Sequence, residues 1–386
     1  MLYHKRTNVF FAFIDMSLIS KSPSNRHGFG TVVFYIIQFI YMKKIAFAFI
    51  LAVSSLALRA QNSESEYLYT TKSFNNASPK KIVAGTSHGN ISVSDVFSSQ
   101  TRVEVYVRNS NSNQELSKQQ IQKKLDEYYT LEISLSGDVL NASARQKKEI
   151  LFNESGLSIS FKIYAPKTAS SVLKTSHGNI DLSGLEGSQN VETSHGDITI
   201  SKITGKVVGQ TSHGNVSVTD CKNEIDVSTD HGDVTGRNCE GTIKLITSHG
   251  NIDLKDLKGK VRAGTEHGNV SANNIGGELN ASTSHGDVDL EGMSSSVNAS
   301  TDHGNISLSV VNITGEIVMS NENGDISLDL PKGKGLDLDL HGRDVSVDGM
   351  QNFTGSKSKD LVKGTTNGGG TKVSAKTDKE ARLTFR

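Results

Sequence analysis

An 18-residue unit repeats eight times without a gap from Thr175 to Val318, under the landmark Thr-x-His-Gly-Asn/Asp-Ile/Val. Its histidines fall at His177, His195, His213, His231, His249, His267, His285 and His303. So regular a period predicts a solenoid, because a unit this short buries a core only by stacking on its neighbours. A ninth, degenerate unit follows at Asn323-Gly324-Asp325 after a two-residue insertion, and an isolated copy stands upstream at Thr86-Ser87-His88-Gly89-Asn90-Ile91.

Counting Thr as position 1, position 6 is Ile or Val in every copy, from Ile180 to Ile306. Position 8 is mostly Leu, Ile or Val, position 15 likewise, and position 17 is small or aliphatic. Apolar positions two apart mark strands, not helix. The phase slips across His-Gly, which predicts a corner there. A second corner is expected near position 13, where Gly187, Gly205, Gly241, Gly259 and Gly277 stand, with a lone inward residue at position 11 on a third side. The fold class is therefore all-β: a single-stranded parallel β-solenoid of 18-residue coils. In-register stacking at ~4.8 Å would extend eight coils over ~38 Å.

Residues 1–60 read as lying outside the mature fold. Met42-Lys43-Lys44, the apolar run Ile45 to Leu58 and the ending Arg59-Ala60-Gln61 have the order of a secretory signal peptide, 42–60, cleaved after Ala60. Residues 1–41 then read as an upstream extension from a start called too early. The rival, a membrane anchor from Thr31 to Leu58, would hold Lys43 and Lys44 in its middle, where charge is costly. Residues 1–60 carry seven basic residues and one acidic, so the 41 and 41 of the whole chain become 34 and 40, a net of −6. A mildly acidic surface with no basic stripe argues against nucleic acid as a partner, and no integral span is expected in the mature chain.

Outside the array, 61–94 reads as a polar linker and first coil, and 95–170 as an α+β cap or insertion near the N-terminus. Strand-like runs Val103–Val107, Leu131–Leu135 and Leu157–Ile163 flank a helical stretch with a face of Leu116, Ile121, Leu125 and Tyr128. A solenoid needs its open ends covered. The regular array is placed at 171–330, and 331–386 as irregular C-terminal coils and cap. There Thr366-Asn367-Gly368-Gly369-Gly370 reads as a turn and Lys372 to Phe385 as the closing element.

The two cysteines, Cys221 and Cys239, both occupy position 11. They read as stacked buried hydrophobes; a disulfide is the alternative, with a Cβ approach tighter than a ladder naturally allows. Position 5 alternates Asn and Asp without ever stacking two aspartates in the array. That pattern avoids like charge, and calcium is the alternative use of its oxygens. The inward Thr column is expected to hydrogen-bond along the stack.

The histidine column admits three readings. It could be a corner that favours positive φ, since Asn323 and Asn367 take the same place before Gly. It could be a metal site, although parallel side chains do not converge. It could sense pH, since neighbouring imidazolium groups would repel by ~1 kcal/mol even in bulk water. The first is preferred, so no residue is assigned a catalytic, cofactor-binding or metal-ligating role and no cofactor is expected.

The repeats resemble the toast-rack β-solenoid family of bacterial adhesin-like proteins. The resemblance rests on the Thr-Ser-His-Gly-Asn-Ile units, where that family commonly shows Ser-Asn-Gly-Asp-Ile. It rests also on the lead-in Ile159-Ser160-Phe161-Lys162-Ile163-Tyr164-Ala165-Pro166-Lys167 and on Asn367-Gly368-Gly369-Gly370. It covers most of 80–386 and implies an exported envelope protein, periplasmic, outer-membrane-associated or at the cell surface, with no shared catalytic residues.

The expected function is a non-enzymatic scaffold or interaction module with a protein or glycan partner at the cell envelope. The alternatives are a metal-binding surface protein using the ladder, and a β-helix carbohydrate-active enzyme. Against the enzyme stand nearly identical coils and the lack of any Phe, Tyr or Trp between Tyr164 and Phe353, where sugar platforms would sit.

Overall fold

Alternating burial along short strands is the rule that organises this molecule. A computed structural model describes residues 66–95, 100–110, 115–148 and 156–386. The upstream extension 1–41 and the signal peptide 42–60 lie outside the described residues.

Each coil of the array's first half contributes two strands, as in Gln189–His195 and Ile198–Ser201. Both pair in parallel register with the next coil, His195 with His213 and Ile198 with Val216, so the sequence period is the stacking period. From Ile252 the separate strands fuse into long ones, Ile252–Gly264, Val270–His285 and Val288–His303, which turn the corners without losing register. The solenoid expected from the repeats is the fold observed.

Position 6 is buried in every array coil and position 11 in the first seven, including Ile198, Val216, Ile252, Ile203 and Leu257, each at 0% exposure. In the eighth coil a register shift exposes Val311 and buries Val310 instead. Burying such a side chain stabilises by ~1.5–3 kcal/mol, and the column multiplies that by the number of coils. Beside the threonines of position 1, a few polar residues enter this core, Ser171, Gln189 and Ser295 among them. Gln189 takes an apolar place at position 15, and it is satisfied by a hydrogen bond from Ser171 Oγ (2.5 Å) and by donating to the Ala169 and Gly187 carbonyls (3.1 and 2.8 Å).

The corner near position 13 is present: Gly241, Gly259 and Gly277 have φ of 130°, 111° and 111°. The structure adds a corner that the glycine pattern did not reveal. Position 10 is left-handed in coil after coil, at Lys202, Asp220, Asn238, Asp256 and Asn274 (φ 53–57°), with Gly184 and Gly292 at the same place. Asn, Asp and Gly tolerate this region best, which accounts for every member except Lys202.

Both ends are closed by one topological device. Strand Lys81–His88 pairs directly with Ser170–His177, so the isolated unit at Thr86 is a true first coil. The chain between them folds outward over the end. One sheet is extended by Leu157–Ala165, Gln100–Asn109 and Tyr67–Asn75, the other by Val139–Gln146 and Tyr129–Ser136. Helix Lys118–Tyr128 lies over the end, capped by Ser117 and Gln120 in a reciprocal pair of hydrogen bonds, and it buries Ile121, Leu125 and Tyr128. Residues 67–75, expected as linker, are thus the outermost strand; their pairing is with a distant segment and leaves no local signature.

At the other end Lys372 to Phe385 is not the closing element. Strands Thr371–Thr377 and Glu380–Phe385 run between the coil of Ile317–Asn323 and Ile326–Leu330 on one side and that of Leu336–His341 and Asp344–Asp348 on the other. The end is covered instead by the antiparallel pair Phe353–Lys357 and Leu361–Thr366. The turn at Asn367-Gly368-Gly369 has φ of 50°, 88° and 83° and sends the chain back inward.

The glycine after each histidine is fixed by stacking distance more than by φ. A Cβ on Gly214 would sit against the Gly196 carbonyl, well inside contact distance, and Gly178, Gly196, Gly232 and Gly250 face the same obstacle. Gly276 differs: its nearest atoms would be 3.9 and 4.0 Å away. Gly214→Ala should therefore destabilise by at least ~2 kcal/mol and Gly276→Ala by less than ~1 kcal/mol, measured by urea unfolding; equal costs would refute the stacking requirement.

Candidate functional site: the histidine corner

The corner between the two sheets is assembled from four columns, and three have structural work. The position 1 threonine is buried and its Oγ1 donates to the glycine carbonyl of the preceding coil, as in Thr193 to Gly178 (3.0 Å), Thr229 to Gly214 (2.9 Å) and Thr283 to Gly268 (2.8 Å). The degenerate unit keeps the bond with an amide, Asn321 Nδ2 to Gly304 (2.7 Å). The glycine permits the close approach. The position 5 side chain accepts through Oδ1 from the position 5 backbone N–H of the next coil: Asn179 from Asp197 (2.9 Å), Asp197 from Asn215 (2.8 Å), Asp233 from Asn251 (2.7 Å).

That bond explains why Asn and Asp interchange in the column, since either supplies the oxygen. It also engages Oδ1 of each residue in the stack. Alternation of charge remains as a second condition on the same column.

The histidine is the fourth column. Nine rings, His88 and the eight of the array, stack with centroids 4.7–5.0 Å apart and planes within 1–4°. All nine are exposed. None lies at positive φ, so the expected backbone reason for histidine here is not found; Asn367 does adopt φ 50°, but Asn323 does not. The corner is real, and its geometry is carried by the neighbouring glycine.

Among the described residues no three His, Cys, Asp or Glu side chains converge on a point that could hold a metal ion. Burial, and then the charge of His177, push His88 below its ordinary range, although much of its surface stays open.

Cys221 and Cys239 are free, buried and adjacent in the stack. Their thiols lie against backbone carbonyls, Cys221 Sγ 3.3 Å from Thr219 and Cys239 Sγ 3.1 Å from Arg237. The hydrogen bond with Cys239 and burial push the Cys221 thiol far above its usual range, which makes it a poor nucleophile.

The outer sheet faces carry ion pairs between consecutive coils, including Lys174–Glu192 (2.7 Å), Lys206–Glu224 (2.7 Å) and Lys260–Glu278 (3.3 Å), all exposed. Such pairs contribute ~0–1 kcal/mol each. The aromatic surface is concentrated in the N-terminal cap. Arg102 stacks on Tyr164 at 3.7 Å and Lys162 on Tyr106 at 4.3 Å, while Glu104 accepts from Arg102 Nε (2.9 Å) and Tyr106 Oη (3.0 Å). Tyr106 and Tyr164 thus each have a cation, and this cluster satisfies itself.

On acidification His88 takes up its proton in the unfolded chain before it does so in the folded one, because folding lowers that group's proton affinity. Its contribution to stability is full above about pH 6.5 and is lost as pH falls through the lower folded value. Protonated neighbours along the ladder would add ~1 kcal/mol of repulsion per pair at water's dielectric constant. The thermal midpoint should therefore fall between about pH 7.5 and about pH 5, and less so in a His88→Asn variant; an unchanged midpoint by calorimetry would remove the ladder from any acid response.

Residues 277–380 match the family model Toastrack DUF4097. A search of curated proteins gives no match. Among solved structures, a candidate cell adhesion protein from Clostridium sporogenes shares 10% identity, with 83% of this chain and 100% of that one covered, at a TM-score of 0.22. A candidate adhesin from Bacteroides fragilis shares 15% identity over 84% of this chain and 99% of that one, at a TM-score of 0.24. Scores this low carry no weight for function. The match over 277–380 bears out the resemblance of the repeats to the toast-rack family.

Proposed function

We propose that this chain is an exported, non-enzymatic scaffold of the cell envelope or surface, presenting flat sheet faces to a protein or glycan partner. One observation carries the reading. The coils between Ser170 and Leu330 are stacked in nearly continuous register, with side chains at equivalent positions forming straight columns. Hydrolases and lyases built on parallel coils depend on unequal loops that raise walls around a substrate. Equal coils suit extended contact with a partner surface, as repeat proteins use it.

The proposed organisation follows the sequence: 1–41 upstream of the true start, 42–60 a cleaved signal peptide, 61–94 lead-in and first coil, 95–170 cap, 171–330 array, 331–386 final coils and cap. Among the described residues no helix is long and apolar enough to cross a membrane. Flat solvent-facing columns of Ser, Thr, Asn and ion pairs agree with a surface that meets its partner through polar contacts.

Export is tested on the native protein. Mass spectrometry of the mature chain should find its N-terminus at Gln61, and protease treatment of intact cells or of periplasmic extracts should reach it. A cytosolic protein retaining Met42 to Ala60 would sink the reading. The scaffold role is tested by saturable binding of the purified mature protein to envelope fractions.

A further inference from the structure

Every column at the corner but one is explained by the fold. Thr, Gly and Asn/Asp bond the coils together, whereas the histidine rings only lie parallel at 4.7–5.0 Å and make no bond between coils. Its backbone is ordinary, its ring is exposed, and none of the nine rings has a hydrogen bond or ion pair among the described residues. Exposed columns without structural work drift along this chain. Position 16 runs Asn190, Val208, Asp226, Lys244, Arg262 and Asn280 over six successive coils. Histidine stays at position 3 through the first coil and all eight array coils. A side chain kept where the fold does not require it points to chemistry of the side chain itself.

Imidazole suits zinc, nickel and copper. Metal–nitrogen bonds of ~2.0–2.1 Å set the geometry: two nitrogens on one ion can be at most ~4.2 Å apart, and ~3.4 Å at a tetrahedral angle. Rings 4.7–5.0 Å apart and nearly parallel are just too far apart to share an ion as they stand. A change of side-chain torsion in two exposed neighbours closes that gap, and no bond has to be broken for it. When one pair closes, the spacing to the next ring widens. Binding must then alternate along the ladder.

We propose that the histidine ladder binds divalent transition-metal ions pairwise, one ion between the imidazoles of two adjacent coils, with water completing each coordination sphere. Nine rings give about four such pairs. Carboxylates offset the charge on both sides of the corner: Asp230, Glu266 and Asp302 immediately precede histidines, and Asp197, Asp233 and Asp287 follow two residues after them. Alternate pairs lie about two coil spacings apart, beyond the ~8 Å screening length at physiological salt, so neighbouring ions repel little. Each ring lacks a partner on its second nitrogen, which makes the individual sites weak and their number the useful quantity.

The test is equilibrium dialysis of the full chain against zinc, nickel and copper, with magnesium as the control. One variant carries Asn at all nine positions, the residue that the degenerate coil already uses at Asn323. A second replaces only His177, His213, His249 and His285 by Asn, leaving five histidines with no histidine neighbour. The parent should take up about four transition-metal ions and no magnesium, and the ninefold variant none. The alternate variant should bind at least ~10-fold more weakly, because each remaining imidazole has lost its partner. No uptake by the parent overturns the proposal. So does an alternate variant that keeps the parent's affinity with uptake scaled to its five rings. Circular dichroism establishes that the variants are folded, and the fourfold variant decides the matter should the ninefold one fail to fold.

Discussion

The approach of one glycine backbone to the next sets the terms for everything else in this solenoid. At the corner, the Cα of Gly196 lies so close to the Gly178 carbonyl that no side chain fits between them. With that contact in place the coils hydrogen-bond across the corner, Gly178 N–H to the His195 carbonyl and Ile180 N–H to the Asp197 carbonyl, both at 2.9 Å. Thr193 and Asn179 add side-chain bonds on either side. The corner is thus as fully bonded as the strands it joins, which is why the sheets can turn there without exposing unpaired backbone. A repeat with this corner has little freedom of length: adding a residue would shift every inward position to the outside.

Much of this was legible in the sequence because the period, the apolar columns and the Thr and Asn/Asp columns are local statements repeated many times. Ile180 to Ile306 at position 6 says where the inside is, and position 11 names the third side. The left-handed corner at position 10 was legible too, in the run Gly184, Lys202, Asp220, Asn238, Asp256, Asn274, but Lys202 obscured it. What could not be read locally was pairing between distant segments. Tyr67–Asn75 becomes a strand only because Gln100–Asn109 is there to receive it, and Thr371–Phe385 has the pattern of a last coil while occupying an inner place. At the candidate site the ladder itself was legible, whereas the reason offered for it was not the right one: φ at histidine is ordinary, and the glycine beside it carries the corner.

The two ends share one solution to one problem. A stacked sheet that simply stopped would offer a row of unpaired N–H and C=O groups and an open core. At the C-terminal end the chain leaves the stack one coil early, folds over the end and returns to lay down a coil in the vacated level. At the N-terminal end it lays down Lys81–His88 and Ile91–Asp95 first and then folds over them before entering the array at Ser170. The first coil at Lys81–Asp95 and the last at Thr371–Phe385 are therefore held between neighbours on both sides. Terminal coils in such a stack are otherwise the first to fray, because each has only one interface. Placing these two coils inside removes that weakness from both of them, and the outermost places go to strands such as Tyr67–Asn75 and Phe353–Lys357.

A stack sealed at its ends and bonded at its corner leaves its outward columns free to vary, and most of them do. The exposed ion pairs shift from one column to another between coils, and no aromatic residue breaks the polar faces of the array. Against that background an invariant exposed imidazole is the feature that the mechanics of the fold do not produce. Serine or asparagine would serve the same backbone without any repulsion on acidification. What distinguishes histidine from those is an aromatic nitrogen lone pair at neutral pH. Any explanation of the ladder has to use it.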